Sequence, residues 1–168
     1  MELVFPTMAH KDMVLAYKQE HSDAGEAQIS GSNGLMQATN YEGWLDMVTR
    51  AQTQAPENWV KGMQFLALED NVLVGMIAVR YTLNDYLFHF GGHIGYGVRP
   101  SQRRKGYATQ MLALALAHSR AVGLDKVLIT CNQDNIGSAR TIQKNGGVWE
   151  NTVVEEDGQL LERYWITL

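Results

Sequence analysis

The residues best suited to chemistry form a basic turn with the sequence Arg-Arg-Lys-Gly at positions 103–106, in a chain of net charge −4. A strand-like segment that ends at Val98 precedes the turn, and an Ala- and Leu-rich segment begins near Tyr107. At a helix start the first N–H groups lack partners and the helix dipole is positive, so an anion can bind to the backbone. Gly106 leaves room for a phosphate, and the basic side chains add charge-assisted hydrogen bonds. The turn therefore predicts a phosphate site, with a solvated basic loop as the alternative.

Two common nucleotide-binding motifs do not fit this region. Gly92 and Gly97 have the spacing of a P-loop, but the Lys-Ser/Thr pair that should follow is absent. Gly95-Tyr-Gly97 could begin a dinucleotide-binding fingerprint, but Pro100 stands at the third glycine position. The sequence supports neither a nucleoside triphosphatase nor a Rossmann dehydrogenase.

Four glycines, at positions 91, 92, 95 and 97, surround the strand-like segment 93–98. Glycine in a strand indicates a bulge, or the close approach of another backbone or a ligand. A strand that splays from its neighbour would expose N–H and C=O groups to an extended ligand that contains amides. A phosphate site beside such an edge suits coenzyme A, which joins a pyrophosphate to a pantetheine arm with two amides.

The segment 103–108 resembles the Arg/Gln-x-x-Gly-x-Gly/Ala loop of the GNAT family of acyl-CoA N-acyltransferases. The segment 134–147 is similar to that family's Asn-x-x-Ala/Ser helix, which ends in a Lys-x-Gly element, and the closing "RYWITL" resembles its last strand. The resemblance implies an acetyl-CoA-dependent N-acetyltransferase. Such an enzyme transfers an acetyl group to a primary amine of a small molecule, peptide or protein by direct attack in a ternary complex. A non-catalytic acyl-CoA-binding regulatory domain is the alternative.

The same resemblance implies which residues bind acetyl-CoA. The backbone of Tyr96, Gly97 and Val98 would pair with the acetyl-pantetheine. Asn135 and Ser138 would contact the pantetheine arm, although a plain helix cap is the alternative role for Asn135. The pyrophosphate would lie on Arg103, Arg104, Lys105, Gly106, Tyr107 and Ala108, with the Thr109 hydroxyl beside it.

The chain departs from the family pattern in its proton-transfer groups. Many members carry a tyrosine, which protonates the departing thiolate, where this chain has Ile142. Either Tyr96 or Tyr81 takes this role, or the thiolate leaves without a protein acid. Many members also carry a glutamate base on the glycine-rich strand, where this chain has His89 and His93. We take His93 as the candidate base because histidine titrates near neutrality. A histidine held in a structural hydrogen bond is the alternative.

These residues must be positioned by the elements that the hydrophobic periodicity predicts, in the order β-α-α-β-β-β-α-β-α-β-β. We expect a single domain over residues 1–168 with an α/β fold of GNAT type. Its sheet would be mixed and largely antiparallel, with helices on both faces and a splayed, bulged central strand. The acceptor amine should contact the helical region 7–54, the segment 84–90 and the last hairpin, none of which carries a recognisable specificity code.

Composition limits the other functions. The chain has 168 residues, of which 45% are hydrophobic and 19% charged, as in a globular protein. Its longest apolar runs are too short to cross a bilayer, and its first residues lack the apolar core of a signal peptide. We therefore expect a cytoplasmic protein without a membrane partner. The negative net charge argues against general nucleic-acid binding, which needs a basic face.

Cys131 is the only cysteine, so an intrachain disulfide and a cysteine-rich zinc site are excluded, and we expect no metal. As a strand residue it should fill the core rather than carry an acyl group. Members of the GNAT family often form dimers, so the resemblance adds a homodimer to the expected partners, beside acetyl-CoA and the amine.

Overall fold

The computed structural model describes residues 1–168, and its helices and strands follow the predicted order. A π-helical turn, Leu87–Gly91, precedes the fourth strand. The elements are β1 (Glu2–Val4), α1 (Lys11–Asp23), α2 (Tyr41–Arg50), β2 (Gly62–Glu69), β3 (Val72–Arg80), β4 (Ile94–Val98), α3 (Tyr107–Ala121), β5 (Lys126–Asn132), α4 (Ile136–Lys144), β6 (Val148–Val154) and β7 (Leu160–Thr167).

The strands form two antiparallel sheets, in the orders β1-β2-β3-β4 and β5-β7-β6. The sheets are joined at His93, whose backbone N–H donates to the Leu128 carbonyl at 2.7 Å. In return the Leu128 N–H donates to the imidazole Nδ1 of His93 at 2.9 Å. Beyond this point β4 and β5 share no strand ladder, so the two sheets separate. The predicted splay beside the glycine-rich strand is therefore confirmed.

The predicted bulge in that strand is wrong. β4 pairs with β3 over Ile94–Val98 without a register shift. The register shifts of the structure lie elsewhere, between Ala67 and Leu68 in β2 and between Trp149 and Asn151 in β6. The backbone of β4 pairs with β3 alone, so its edge toward β5 is open.

The glycines of β4 admit a neighbouring backbone rather than bend the strand. The loop between α1 and α2 crosses β4 so closely that a Cβ on Gly97 would lie 2.6 Å from the Ser30 carbonyl oxygen. A Cβ on Gly31 of this loop would lie 2.4 Å from the Gly95 carbonyl oxygen. Of the two causes that glycine in a strand indicates, the close approach is the one that applies here.

Helices cover both faces of the first sheet, as predicted, and each face has its own core. On one face the apolar sides of α1 and α2 pack on β2 and β3; on the other, α3 and α4 pack across both sheets. No helix is long and apolar enough to cross a membrane. The first core includes Val14, Tyr17, Trp44, Val48, Leu66, Leu73 and Met76, and the second includes Ile77, Val79, Met111, Leu112, Ala115, Ile129 and Ile142.

Candidate active site

A cleft of about 530 Å³ lies where the end of β4, the start of α3 and the start of α4 converge. It brings together the predicted coenzyme-binding residues with the exception of Lys105, which does not line the cleft and whose Nζ donates to Oε1 of the lining residue Gln102 at 2.8 Å. The lining also contains Thr141 and three residues of the segment after α1 that sequence analysis did not identify. The predicted residues in the lining are Tyr96, Gly97, Val98, Arg103, Arg104, Gly106, Tyr107, Ala108, Thr109, Asn135 and Ser138.

The start of α3 is an anion site built from the backbone. Gly106 caps the helix with φ 83°, and Arg104 also has a left-handed conformation, with φ 64°. The backbone N–H groups of residues 104–108 donate to no acceptor within the protein. No side chain caps the helix either, so these N–H groups and the positive end of the helix dipole are available to a phosphate.

The open edge of β4 provides the second feature of the cleft. A hydrogen bond from the Arg99 N–H to the Val74 carbonyl sets which groups face β3. Because hydrogen-bonded pairs alternate in an antiparallel ladder, Gly97 faces β3, whereas the backbone groups of Tyr96 and Val98 face the splay. The N–H and C=O of Tyr96 and the N–H of Val98 are suited to an extended ligand that contains amides, whereas the Val98 carbonyl already accepts a hydrogen bond from Arg103. Gly97 would not hydrogen-bond the ligand, but its lack of a side chain lets another backbone approach.

Arg103 is already engaged by the protein. Its Nε donates to the Val98 carbonyl at 3.1 Å, and its Nη2 lies 2.6 Å from Glu26 Oε1. The other oxygen of Glu26 lies 2.6 Å from Nδ1 of His21. Burial raises the pKa of Glu26, but the hydrogen bonds from His21 and Arg103 outweigh it and hold that pKa below its usual value. A carboxylate therefore stands beside the anion site, which no motif in the sequence indicated.

Asn135 caps α4, because its Oδ1 accepts from the Ser138 N–H at 3.0 Å. This is the alternative role considered for Asn135, and the residue still lines the cleft, so the two roles are compatible.

Tyr96 reaches across the splay to α4. Its hydroxyl lies 2.7 Å from Ser138 Oγ, and burial raises the pKa of the phenol well above its ordinary value, although the Ser138 hydrogen bond opposes this. Tyr81, the other candidate acid, donates to Met63 Sδ at 3.4 Å and lines neither the cleft nor the cavity beside it. Of the two tyrosines, only Tyr96 is in a position to contact a bound thioester.

The geometry argues against the base role predicted for His93. Its Nδ1 accepts the Leu128 N–H, so in the neutral imidazole Nε2 carries the hydrogen and no lone pair is left to accept a proton. Burial and the nearby Arg80 guanidinium lower the pKa of His93 to about 4, although the Leu128 contact opposes this. His93 is 7% exposed and lines neither the cleft nor the cavity beside it. It joins the two sheets, which is the structural role considered above.

A second cavity of about 300 Å³, here called the acceptor cavity, adjoins the cleft. The two share Tyr96, Asn135 and Ser138 in their linings. Two charged residues that sequence analysis did not identify, Arg80 and Glu155, also line the acceptor cavity. Glu155 follows β6 in the last hairpin, one of the regions expected to contact the acceptor. The family pattern suggested a carboxylate on β4, in the first sheet, whereas Glu155 follows β6, in the second sheet.

Cys131 also lines the acceptor cavity but is 7% exposed. Burial raises the pKa of its thiol, although a hydrogen bond with Ser138 opposes this, so the thiol is protonated near neutral pH. This agrees with the expected role as core filler rather than nucleophile. No group of three or more His, Cys, Asp or Glu side chains is arranged to hold a metal ion.

Comparisons with known proteins identify the family and the fold. A family model described as an acetyltransferase (GNAT) domain matches residues 8–148. No curated protein sequence matches the chain significantly. A solved ribosomal L7/L12 α-N-protein acetyltransferase in complex with coenzyme A is 16% identical, with a TM-score of 0.74 over 99% of this chain and 93% of that one.

Two further solved structures are similar to the chain. The microcin C7 self-immunity acetyltransferase MccE, in complex with acetyl-CoA and AMP, is 13% identical, with a TM-score of 0.71 over 99% of this chain and 91% of that one. A spermidine N-acetyltransferase from Vibrio cholerae is 16% identical, with a TM-score of 0.67 over 99% of this chain and 95% of that one.

At these identities the solved structures show the fold. The family model covers most of the chain and agrees with the element order and with the motif at 103–108. The protein is therefore a member of the GNAT family of acetyltransferases.

Proposed function

We propose that the protein transfers an acetyl group from acetyl-CoA to the primary amine of an acceptor, by direct attack while both substrates are bound. The observation that carries this proposal is the meeting of two cavities at Tyr96 and Ser138. One cavity has the unpaired backbone groups that a pyrophosphate and a pantetheine arm require, and the other is open beside it. Relatives solved with coenzyme A or acetyl-CoA support the choice of donor.

The groups of β4 are suited to the acyl transfer step. Acetyl-CoA supplies the acetyl group as an activated thioester. The Val98 N–H faces the splay and can stabilise the oxyanion of the tetrahedral intermediate. Tyr96 is a neutral phenol near pH 7, as a tyrosine with the ordinary pKa of about 10 would be, and burial raises its pKa further. It can donate a hydrogen bond to the departing sulfur, but a thiol with a pKa near 8.5 is the stronger acid. The proton that completes the thiol therefore comes from the attacking amine or from solvent.

Glu155 is suited to receive the amine. An alkyl ammonium has a pKa of about 10.4, so it must lose a proton before it can attack the thioester. The Glu155 carboxylate lines the acceptor cavity and accepts a hydrogen bond from the Tyr86 hydroxyl at 3.3 Å. A carboxylate is a weak base toward an ammonium group. Glu155 would therefore bind the ammonium, and the proton of the ammonium would go to water.

The test is release of free thiol from acetyl-CoA during a screen of amines. We expect release with at least one class of amine, and Tyr96→Phe should lower kcat roughly tenfold to a hundredfold with little change in KM for acetyl-CoA. Tyr81→Phe is the matched control and should retain wild-type rates. Tight coenzyme A binding without release from any amine would instead favour the non-catalytic acyl-CoA-binding domain. A wild-type rate for Tyr96→Phe would remove the role of that residue.

Several features stay predictions: a single domain over 1–168, a cytoplasmic location, a homodimer, and the absence of nucleic-acid and membrane partners.

A further inference from the structure

Arg80, the last residue of β3, is a half-buried cation without a counter-ion. Burial lowers the pKa of its guanidinium to about 10, so the group is still charged at neutral pH. Its Nη1 donates to the carbonyl oxygens of Gly91 and Gly92 at 3.0 and 2.9 Å, whereas its Nε is buried without a partner. Arg80 forms no ion pair with any carboxylate of the protein. Such an arrangement is costly, because neutral carbonyl groups compensate the loss of hydration only in part.

Arg80 lies between two cavities. One is the acceptor cavity, and the other has a volume of about 440 Å³ and a mostly apolar wall that includes Met47, Val48 and Trp59. We call this second space the apolar cavity. Ser30, Gly31 and Arg80 line both cavities, so the two meet at the guanidinium. The guanidinium carbon lies 5.6 Å from the centre of the Trp59 ring, a contact that helps to orient it.

The acceptor cavity contains both charges. Glu155 lines the same cavity as Arg80. Tyr86 is close to both residues, because its hydroxyl donates to the Glu155 carboxylate, and the rise that burial causes in the pKa of the Tyr86 phenol is opposed by the Arg80 charge. Arg80 and Glu155 do not pair with each other. A cavity that holds a cation and an anion apart can bind a ligand whose negative group pairs with the cation and whose positive group pairs with the anion.

We propose that the acceptor is a free α-amino acid with an apolar side chain, bound through its carboxylate to Nη2 of Arg80. This inference rests on the proposed acetyl transfer. Nη2 donates to no group of the protein, so its N–H groups are free to make charge-assisted hydrogen bonds to a carboxylate. The ammonium group lies toward Glu155 and Tyr96, and the side chain enters the apolar cavity. The ammonium first loses one proton to water beside Glu155, and the neutral nitrogen then bonds to the acetyl carbon to give the tetrahedral intermediate. When that intermediate collapses, the carbon–sulfur bond breaks, and the second proton lost by the nitrogen completes the thiol. The products are an N-acetylamino acid and coenzyme A.

Other classes of amine fit this site less well. The N-terminus of a peptide or protein carries an amide where a free amino acid has its carboxylate, so Arg80 would remain unpaired. A polyamine would bring a second positive charge close to the guanidinium, which is unfavourable in a site with little water.

The test compares amino acids with their amides on the wild-type enzyme. Leucine, methionine and phenylalanine are each assayed beside leucinamide, methioninamide and phenylalaninamide, with thiol release from acetyl-CoA as the readout. Each pair differs in the carboxylate alone, and the amide has the less basic amine, so intrinsic reactivity favours the amide. We expect kcat/KM to be at least about a hundredfold higher for the acid. Equal rates, or faster reaction of the amides, would overturn the proposal.

A variant then assigns the preference to Arg80. Arg80→Gln should reduce the preference for acid over amide to less than about tenfold, mainly through a higher KM for the acid. Arg80→Lys keeps the charge without the planar fork and should give an intermediate preference. Arg120→Gln, an exposed arginine at the far end of α3, is the matched control and should leave the preference unchanged. An unchanged preference in a folded Arg80→Gln protein would exclude Arg80 as the carboxylate site.

The outcomes also separate this inference from the proposed function. Thiol release with spermidine or a peptide, but with no free amino acid, would refute the amino-acid acceptor and leave acetyl transfer intact. Coenzyme A binding without release from any amine would refute the acetyl transfer itself.

Discussion

Gly106→Ala tests the position of the pyrophosphate most directly. Gly106 caps α3 with φ 83°, and no atom lies within 4 Å of the place that a Cβ would take. The substitution therefore introduces no clash with the protein. It adds backbone strain and places a methyl group beside the unpaired N–H groups of residues 104–108.

The two effects have different magnitudes. A residue with a Cβ in the left-handed region costs about 1 kcal/mol relative to glycine. In a domain of this size, that lowers the unfolding temperature by about 2–4 °C. A phosphate kept away from the helix start loses at least one charge-assisted hydrogen bond, worth about 1.5–3 kcal/mol. We therefore expect a coenzyme A dissociation constant about 10 to 150 times higher than in the wild-type protein.

Gly123→Ala separates strain from binding. Gly123 follows the other end of α3 with φ 92°, and its Cβ position is likewise open. Both variants should lower the unfolding temperature by similar amounts in thermal denaturation without ligand. Isothermal titration with acetyl-CoA should show weakened binding for Gly106→Ala alone. Wild-type affinity in that variant would mean that the pyrophosphate does not bind at the start of α3.

Two further predictions concern titratable groups near the splay. The pKa of His93 is about 4 in the folded protein and near 6.5 in the unfolded chain. Between these pH values the unfolded chain therefore binds one more proton than the folded protein. The free energy of unfolding falls as the pH drops through that window, by on the order of 2–3 kcal/mol. His93→Asn keeps an acceptor for the Leu128 N–H and should remove this pH dependence of the unfolding free energy in denaturant titrations from pH 4 to 7. It should not alter the pH profile of kcat. A shifted profile would restore His93 as the base. Glu26→Gln removes the carboxylate that holds Arg103 and should lower the dissociation constant of coenzyme A about three- to fivefold by isothermal titration. Weaker binding would show instead that Glu26 orients Arg103 for the ligand.

The features predicted correctly from the sequence depend on neighbouring residues. Whether the N–H groups at a helix start are unpaired follows from the local cap, so the turn at 103–106 could be interpreted without the fold. The same holds for the cap at Asn135, whose Oδ1 accepts from the N–H group three residues later. The alternation of apolar residues likewise predicts each strand from its own composition.

The features that sequence analysis missed depend on how distant segments pack. Glu26, Arg80 and Glu155 lie in three separate segments and meet the site only through tertiary structure. The error about His93 has a similar cause. Its residue type indicates titration near neutrality, but the sequence does not show that the Leu128 N–H occupies the one lone pair of the imidazole.

The position of Ile142 explains the departure of this chain from the family pattern. Ile142 lies one helical turn after Ser138 in α4 and is fully buried in the core shared by α3, α4 and both sheets. A phenol at that position would have to displace core packing before its hydroxyl reached the splay. Tyr96 instead approaches from β4, and its hydroxyl meets Ser138 at 2.7 Å. A hydroxyl donor therefore stands between the cleft and the acceptor cavity, although α4 provides no tyrosine. On the proposed function, the open edge of β4 would serve two purposes, since its backbone would pair with the extended coenzyme and the Tyr96 side chain would lie near the sulfur of the thioester.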